Sequence, residues 1–350
     1  MTAAAADRAR LRGDLPGAAR PREDGLLLAG LGLLLAALFL VSLLVGPAPV
    51  PPGQILAGLA GRGDPAVVLV AQEVRLPRAL LGALVGAGLG MAGAALQGFL
   101  RNPLADPGLV GASASASFGA VLVLYFGLSA QLALAMPLAG MAGAGCGMAL
   151  ILMLAGRQAS VLSLILAGVA VQTLAGALTS LALNLAPNPH AALEIAFWLL
   201  GSLTDRTRDH VLLAAPFLLV GMAMLARERH SLDALGLGER TAASLGVDVA
   251  ALRRRIVLGT VLAVGPGVAV TGAIGFIGLV VPHLLRPFVG HEPGRLLLPS
   301  ALAGGALLLA ADILVRLVPT NDELKLGVVT GLIGAPFFLL LLNRLRAEVR

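Results

Sequence analysis

The chain has 350 residues, of which 58% are hydrophobic and 13% charged, with a mean hydropathy of +0.92. Soluble domains carry about a quarter charged residues, so this composition excludes a soluble globular protein and describes one whose solvent is largely lipid. The net charge of +6 and pI near 11.0 raise nucleic acid as a partner, but the basic residues lie between apolar runs and form no single solvated face. Nucleic acid is therefore excluded, and membrane topology is the reason for the basic residues.

Residues 1–24, MTAAAADRARLRGDLPGAARPRED, have no apolar face and read as a disordered cytoplasmic arm. The remainder, 25–350, reads as one all-α integral membrane domain. A helix rises about 1.5 Å per residue and the hydrocarbon is about 30 Å thick, so a span needs roughly 20 apolar residues. About ten spans follow on that measure: 25–46, 77–98, 107–126, 132–155, 161–185, 209–226, 253–272, 274–284, 296–317 and 326–343. The first is a retained span, since its apolar core is too long for a signal peptide and no small-residue cleavage site precedes Pro47. The eighth is too short to cross a bilayer unless surrounding protein shields its ends.

With the arm placed in the cytoplasm, most of the 25 basic residues fall on the inner side. Arg62, Arg75, Arg78, Arg206, Arg208, Arg316 and Lys325 remain outside, an asymmetry that puts both termini in the cytoplasm. On the second span Gly82, Gly86 and Gly90 recur every four positions, with Ala94 continuing the stripe. Small residues at that spacing let helices approach closely in lipid, so the stripe reads as packing. Cys146 is the only cysteine, which excludes an intramolecular disulfide.

Several chemistries are missing. An ion-coupled transporter holds its ion on ionisable residues at mid-membrane, whereas here Glu73, Arg75, Arg78, Asp312 and Arg316 lie near span ends. That disfavours the alternative of a secondary transporter driven by an ion gradient. The five histidines have no metal-ligand spacing, and no glycine-rich phosphate loop ends in Lys and Ser or Thr. No catalytic residue, metal site or cofactor is therefore expected on this chain. Energy for transport has to enter from a partner.

The segment about 231–252, with 231–255 reading SLDALGLGERTAASLGVDVAALRRR, is too polar for lipid. Ala242, Leu245 and Val249 give it one apolar helical face, a form suited to sit in the groove of a soluble partner.

The motifs RLPR (75–78), GMAGAALQGFLRNPLADPGLVGASASASFGA (90–120), LGLGERTAASLGVDV (235–249), GFIGLVVPHLLRPFVG (275–290), ADILVR (311–316) and ELKLGVVTGLIGAPFF (323–338) occur in this order. Together they resemble the FecCD-type permeases, the membrane subunits of bacterial ABC importers for iron chelates, haem and cobalamin. The resemblance implies the type II ABC importer fold in the bacterial cytoplasmic membrane. It implies as partners a second permease copy in a homodimer, two ATP-binding cassette ATPase subunits that carry the ATP and Mg, and an extracytoplasmic substrate-binding protein.

By the same resemblance, Leu235, Gly236, Leu237, Gly238, Glu239, Arg240, Thr241, Ala242, Ser244, Leu245 and Gly246 dock on the ATPase. Arg75, Arg78 and Arg316 match outer basic residues that meet acidic groups of the binding protein. Replacing Arg75 and Arg78 by Glu is accordingly expected to abolish uptake and leave assembly intact. Asn102, Pro103, Asp106 and Pro107 match the turn after the second span, where the prolines forbid helix and the Asn and Asp side chains can satisfy freed backbone groups. Gly278, Pro282, His283 and Arg286 match the inner surface near the ATPase, with Pro282 expected to end the eighth span and His283 to cap a helix end. One motif departs from the family: ELKLG stands where ELPVG is usual, so Lys325 and Leu326 leave the outer start of the last span without its rigid turn.

Overall fold

The computed structural model describes residues 21–46, 48–132, 134–156, 161–318 and 323–348. Most of the expected arm, 1–20, and Arg157 lie outside the described residues. Among those described, every regular element is helical. Seven helices are long and apolar enough to cross a membrane, and three shorter apolar helices occupy the remaining positions expected of spans.

In chain order the helices are α1 (Pro21–Leu44), α2 (Pro52–Leu59), α3 (Pro65–Leu100), α4 (Ala112–Tyr125), α5 (Ala135–Ala155), α6 (Val161–Asn184), α7 (Pro189–Leu199), α8 (Arg208–Arg227), α9 (Arg229–Gly236), α10 (Glu239–Ser244), α11 (Val249–Thr271), α12 (Ile277–Leu285), α13 (Pro293–Leu317) and α14 (Leu326–Glu348). Their starts carry chemical signals. Asp64, Asn188 and Asp248 accept hydrogen bonds from the backbone N–H of Ala66, Ala191 and Ala251, capping α3, α7 and α11 at 2.8, 2.9 and 2.9 Å. Thr207 and His210 form a capping box that opens α8.

Two boundaries and two short helices differ from the sequence expectation. α1 begins at Pro21, inside the segment read as an arm, and its Asp24 pairs with Arg295 of α13. α3 begins at Pro65 rather than near 77. Pro77 has no N–H to give, and just before it the helix widens into a π turn, Val70–Arg75, closed by Leu76 N–H donating to Ala71 O. The helix thus continues through the proline. α2 and α7 were not expected, because each is too short to register as a span.

α3, α11 and α13 form the inner layer, with 78%, 78% and 67% of their apolar windows buried, against 11–33% for α1, α5, α6 and α8. The glycine stripe makes this possible: a Cβ on Gly86 or Gly90 would collide with the backbone carbonyls of Gly304 or Ser300 on α13. Helix backbones in contact there exclude any side chain. Gly93 meets α12 in the same way, at Gly278.

Candidate functional site

The two ends of the bundle differ in chemistry. At the Arg286 end, α9 and α10 form a hairpin outside the spans. Leu232, Leu235 and Ala242 are fully buried and anchor it, and Asp233 Oδ1 accepts from the Gly294 N–H at 2.7 Å, tying it to the start of α13. Its other side faces away from the chain: Leu237 and Leu245 are 68% and 63% exposed, and Glu239, Arg240, Thr241, Ser244 and Gly246 are exposed as well. Exposed leucines flanked by charge on a polar segment describe a protein-binding surface better than a solvated connector.

Beside the hairpin lies a polar recess of about 280 Å³ bordered by Gln97, Arg101, Asn102, Gly236, Arg286 and His291. Behind it, three segments meet. Pro282 does not end α12, which runs to Leu285 and continues as a 3₁₀ turn, Arg286–Val289. Proline removes the N–H that would bond the carbonyl four residues earlier, Gly278 O. The Gln97 side-chain amide donates to that carbonyl and to Leu279 O, both at 3.3 Å. Gln97 Oε1 in turn accepts from Arg286 Nη2 at 2.7 Å. A polar side chain from α3 thus replaces the missing backbone donor, as a broken helix in lipid requires.

The 102–111 turn packs on the same place, since a Cβ on Gly278 would meet the Pro107 ring. Asn102 Oδ1 accepts from Leu104 N–H at 2.9 Å and Asp106 Oδ1 from Gly108 N–H at 2.8 Å. Burial pushes the Asp106 carboxyl above its ordinary range, against the opposing pull of that N–H. His283 stacks edge-on to Phe337 with ring centroids 5.9 Å apart, joining α12 to α14.

At the opposite end, the three arginines read as docking residues turn inward. Arg75 and Arg78 are 4% and 8% exposed, and the Arg316 side chain 2%. Arg75 donates to the carbonyls of Leu43, Leu44 and Ala48 at 3.0, 2.7 and 2.8 Å, closing the chain that leaves α1. Arg316 holds the same segment through Val45 O at 2.6 Å and Ser42 Oγ at 2.7 Å, and pairs with Asp312 at 2.8 Å. Arg78 grips Asp312 through Nε and Nη2 at 3.0 and 2.8 Å and also pairs with Glu323. These guanidinium groups clamp α1, α3, α13 and the start of α14 together rather than facing a partner. The spacing of charge in the sequence could not separate the two roles, because the acceptors of Arg75 are backbone carbonyls and the carboxylates that hold Arg78 lie far along the chain.

Lys325 and Leu326 fit without the usual proline. Leu326 is buried, the Lys325 ammonium lies 5.6 Å from the Phe197 ring centroid, and Lys325 O accepts the N–H of Val328. The start of α14 is fixed instead by its backbone: Leu326 N–H donates to Gly201 O at 2.9 Å and Gly327 N–H to Leu200 O at 3.0 Å. Gly201 has φ +71° there, a conformation that favours glycine.

Sequence comparison decides what this architecture belongs to, for the FecCD transport family matches residues 34–344. The chain belongs to the FecCD transport family. Within it, the chain is 38% identical over 314 residues to the Fe(3+) dicitrate transport system permease protein FecD of Escherichia coli, covering 90% of this chain and 97% of that one. It is 41% identical over 278 residues to the cobalamin import system permease protein BtuC of Halobacterium salinarum, covering 79% and 73%. A solved structure described as the inward-facing conformation of a metal-chelate type ABC transporter superposes with a TM-score of 0.80 at 33% identity, covering 91% of this chain and 98% of that one. These two relatives are thus permease proteins of ferric dicitrate and cobalamin transport systems, and the fold here is that of the solved structure.

Sequence reasoning gave no role to Gln97, Asp233, Asp312, Glu323 and Ser42. Gln97 carried a signal, as the one amide side chain within a long run of small and apolar residues, 79–100. Asp312 and Arg316 stand at i,i+4 spacing, which places them on one helix face.

Proposed function

We propose that this chain is the permease subunit of an ATP-driven importer of metal chelates, with an iron–siderophore as the first candidate cargo and haem or cobalamin as others. The observation that carries the reading is the α9–α10 hairpin, with Leu237 and Leu245 exposed on a surface tied to the ends of the core helices. An ATPase subunit seated there pushes on α13 through Asp233 and Gly294 and on α3 through the Gly98–Pro293 contact. From α3 the displacement reaches α12 through Gln97. ATP and Mg²⁺ belong to the two ATPase partners, and this chain supplies no covalent chemistry.

A second permease copy completes the pathway. On α14, Leu332, Ile333, Leu339 and Leu340 are exposed, and Phe276 enters α12 in the left-handed region beside Gly334 of α14. Two such faces about a twofold axis form a self-complementary interface through which substrate passes. The Arg286 end and both terminal helix ends lie in the cytoplasm. The Arg78 end receives the substrate-binding protein, through residues other than the three clamped arginines. Arg62 and Arg208 are exposed at that end, and Arg206 and Lys325 are partly so.

The test is uptake of a labelled iron chelate by cells carrying the complete system. Vanadate should stop it and an uncoupler that spares ATP should not. Sensitivity to the uncoupler alone would instead establish a gradient-driven carrier.

A further inference from the structure

Most of the partly buried arginines of this chain have an acceptor. Arg75, Arg78, Arg286, Arg295 and Arg316 are hydrogen-bonded or paired, and Arg255 holds Glu228 at 2.7 Å. Arg253 and Arg254, the two residues before it at the start of α11, make no hydrogen bond and no ion pair within 4.0 Å among the described residues. The Nε of Arg253 is shielded from solvent and donates to nothing, as is true of Arg206 at the opposite end and of Arg295, whose other nitrogens are paired. A shielded donor without an acceptor calls for an explanation, because such groups are rare in folded proteins.

Both arginines line a recess of about 530 Å³ between the end of α5, the beginning of α6 and the beginning of α11. Leu152, Met153 and Leu164 form its apolar wall, and no carboxylate borders it. It lies at helix ends, hence at interface depth. It opens on an outer flank of the bundle: Met153 is 71% exposed, and α5 and α6 have 28% and 33% of their windows buried, against 67–78% for the inner helices. Two cations at the interface above an exposed apolar wall complement one kind of molecule, an anion with a hydrocarbon tail.

We propose that this recess is a binding site for the headgroup of an anionic phospholipid. The phosphodiester accepts from the forks of Arg253 and Arg254, which suit a phosphate in geometry as well as charge. One acyl chain lies along Leu152, Met153 and Leu164. Basic pockets between helices at the membrane surface select such lipids. The site depends only on membrane insertion and holds whether or not the transport reading does.

The experiment uses the full chain purified in bilayer discs of phosphatidylcholine with or without phosphatidylglycerol, followed by native mass spectrometry after mild delipidation. Wild type should retain phosphatidylglycerol and release phosphatidylcholine. Arg253→Ala with Arg254→Ala should lose the retained lipid by about tenfold, a change of about 1.4 kcal/mol. The paired Lys substitutions should lose less, keeping charge without the fork. If the double Ala variant does not fold, Arg254→Gln at the exposed position gives the same reading in smaller measure. Equal retention of both lipids, retention unchanged in the variants, or displacement of the lipid by millimolar inorganic phosphate would each overturn the proposal. So would a loss of dimer mass with no change in bound lipid, which would make the recess a protein interface.

Discussion

The side chain of Gln97 donates to the carbonyl of Gly278, the acceptor that Pro282 leaves without a backbone partner. The same side chain accepts from Arg286, so one amide holds α3, the bend of α12 and the cation that follows it. Removing the amide leaves a buried carbonyl and a half-buried guanidinium without their partners. Gln97→Leu should lower stability by about 1–3 kcal/mol per unsatisfied group, read as an earlier thermal midpoint in detergent. Adding Pro282→Ala to Gln97→Leu returns an N–H to Gly278 and should recover part of the loss. If the pair adds without recovery, the replacement role of Gln97 is wrong.

The buried ion network of Arg78, Asp312, Arg316 and Glu323 makes a different forecast. Asp312 is 1% exposed between two guanidinium groups, so Asp312→Ala takes the shared carboxylate from both, leaving Arg78 only Glu323 and Arg316 only hydroxyl and carbonyl acceptors, and should cost about 3–5 kcal/mol. Arg75→Glu with Arg78→Glu should then reduce the amount of folded protein in the membrane. The surface-docking expectation drawn from the sequence requires normal assembly with lost uptake. Quantifying folded protein by fluorescence-detected gel filtration separates the two.

Acid should weaken the same clamp. Burial alone would raise the Glu323 carboxyl, but its hydrogen bond and charge interaction with Arg78 outweigh this and hold it below the usual glutamate range. A carboxyl depressed in the folded state contributes stability above its unfolded pKa and loses it as pH falls through the folded value. Stability should therefore be level near neutrality and decline below about pH 4, where free glutamate titrates. Glu323→Gln should be less stable at neutral pH and should show a shallower acid decline. An unchanged acid limb in that variant would show that Glu323 does not supply it.

Close backbone approach gives a fourth test. A single methyl at Gly90 would overlap Ser300 O, and at Gly86 the Gly304 carbonyl, so neither neighbour can move as a flexible side chain would. Gly90→Ala should cost about 1–3 kcal/mol as overpacking, whereas Gly30→Ala on α1, with nothing within 4 Å of its Cβ, should be silent. Thermal unfolding of the two variants side by side decides it.

Much of this fold was legible because lipid demands long apolar runs and shows small residues at contact faces. The ten span positions and the stripe at Gly82, Gly86 and Gly90 follow from those two facts. The α9–α10 hairpin was legible because its polarity interrupts them. The missed features have other causes. α2 and α7 are too short for a span-length window, and the π turn before Pro77 has no composition of its own. The inward turn of Arg75 and Arg316 depends on carbonyls of the segment after α1, whose position no local pattern records. The Lys325 substitution looked disruptive because proline was taken to fix the start of α14, while backbone bonds to Leu200 and Gly201 do that work.

The most direct test of the central claim is purification of the tagged chain from its native membrane, with mass spectrometry of what remains bound, for wild type and for Leu237→Glu with Leu245→Glu. Wild type should bring down a soluble subunit bearing a phosphate-binding loop. The double variant should keep its thermal midpoint, since both leucines are exposed, and lose that subunit. A chain that emerges without a nucleotide-binding partner, or a variant that retains the partner in full, would contradict the docking role of the hairpin and the importer mechanism built on it.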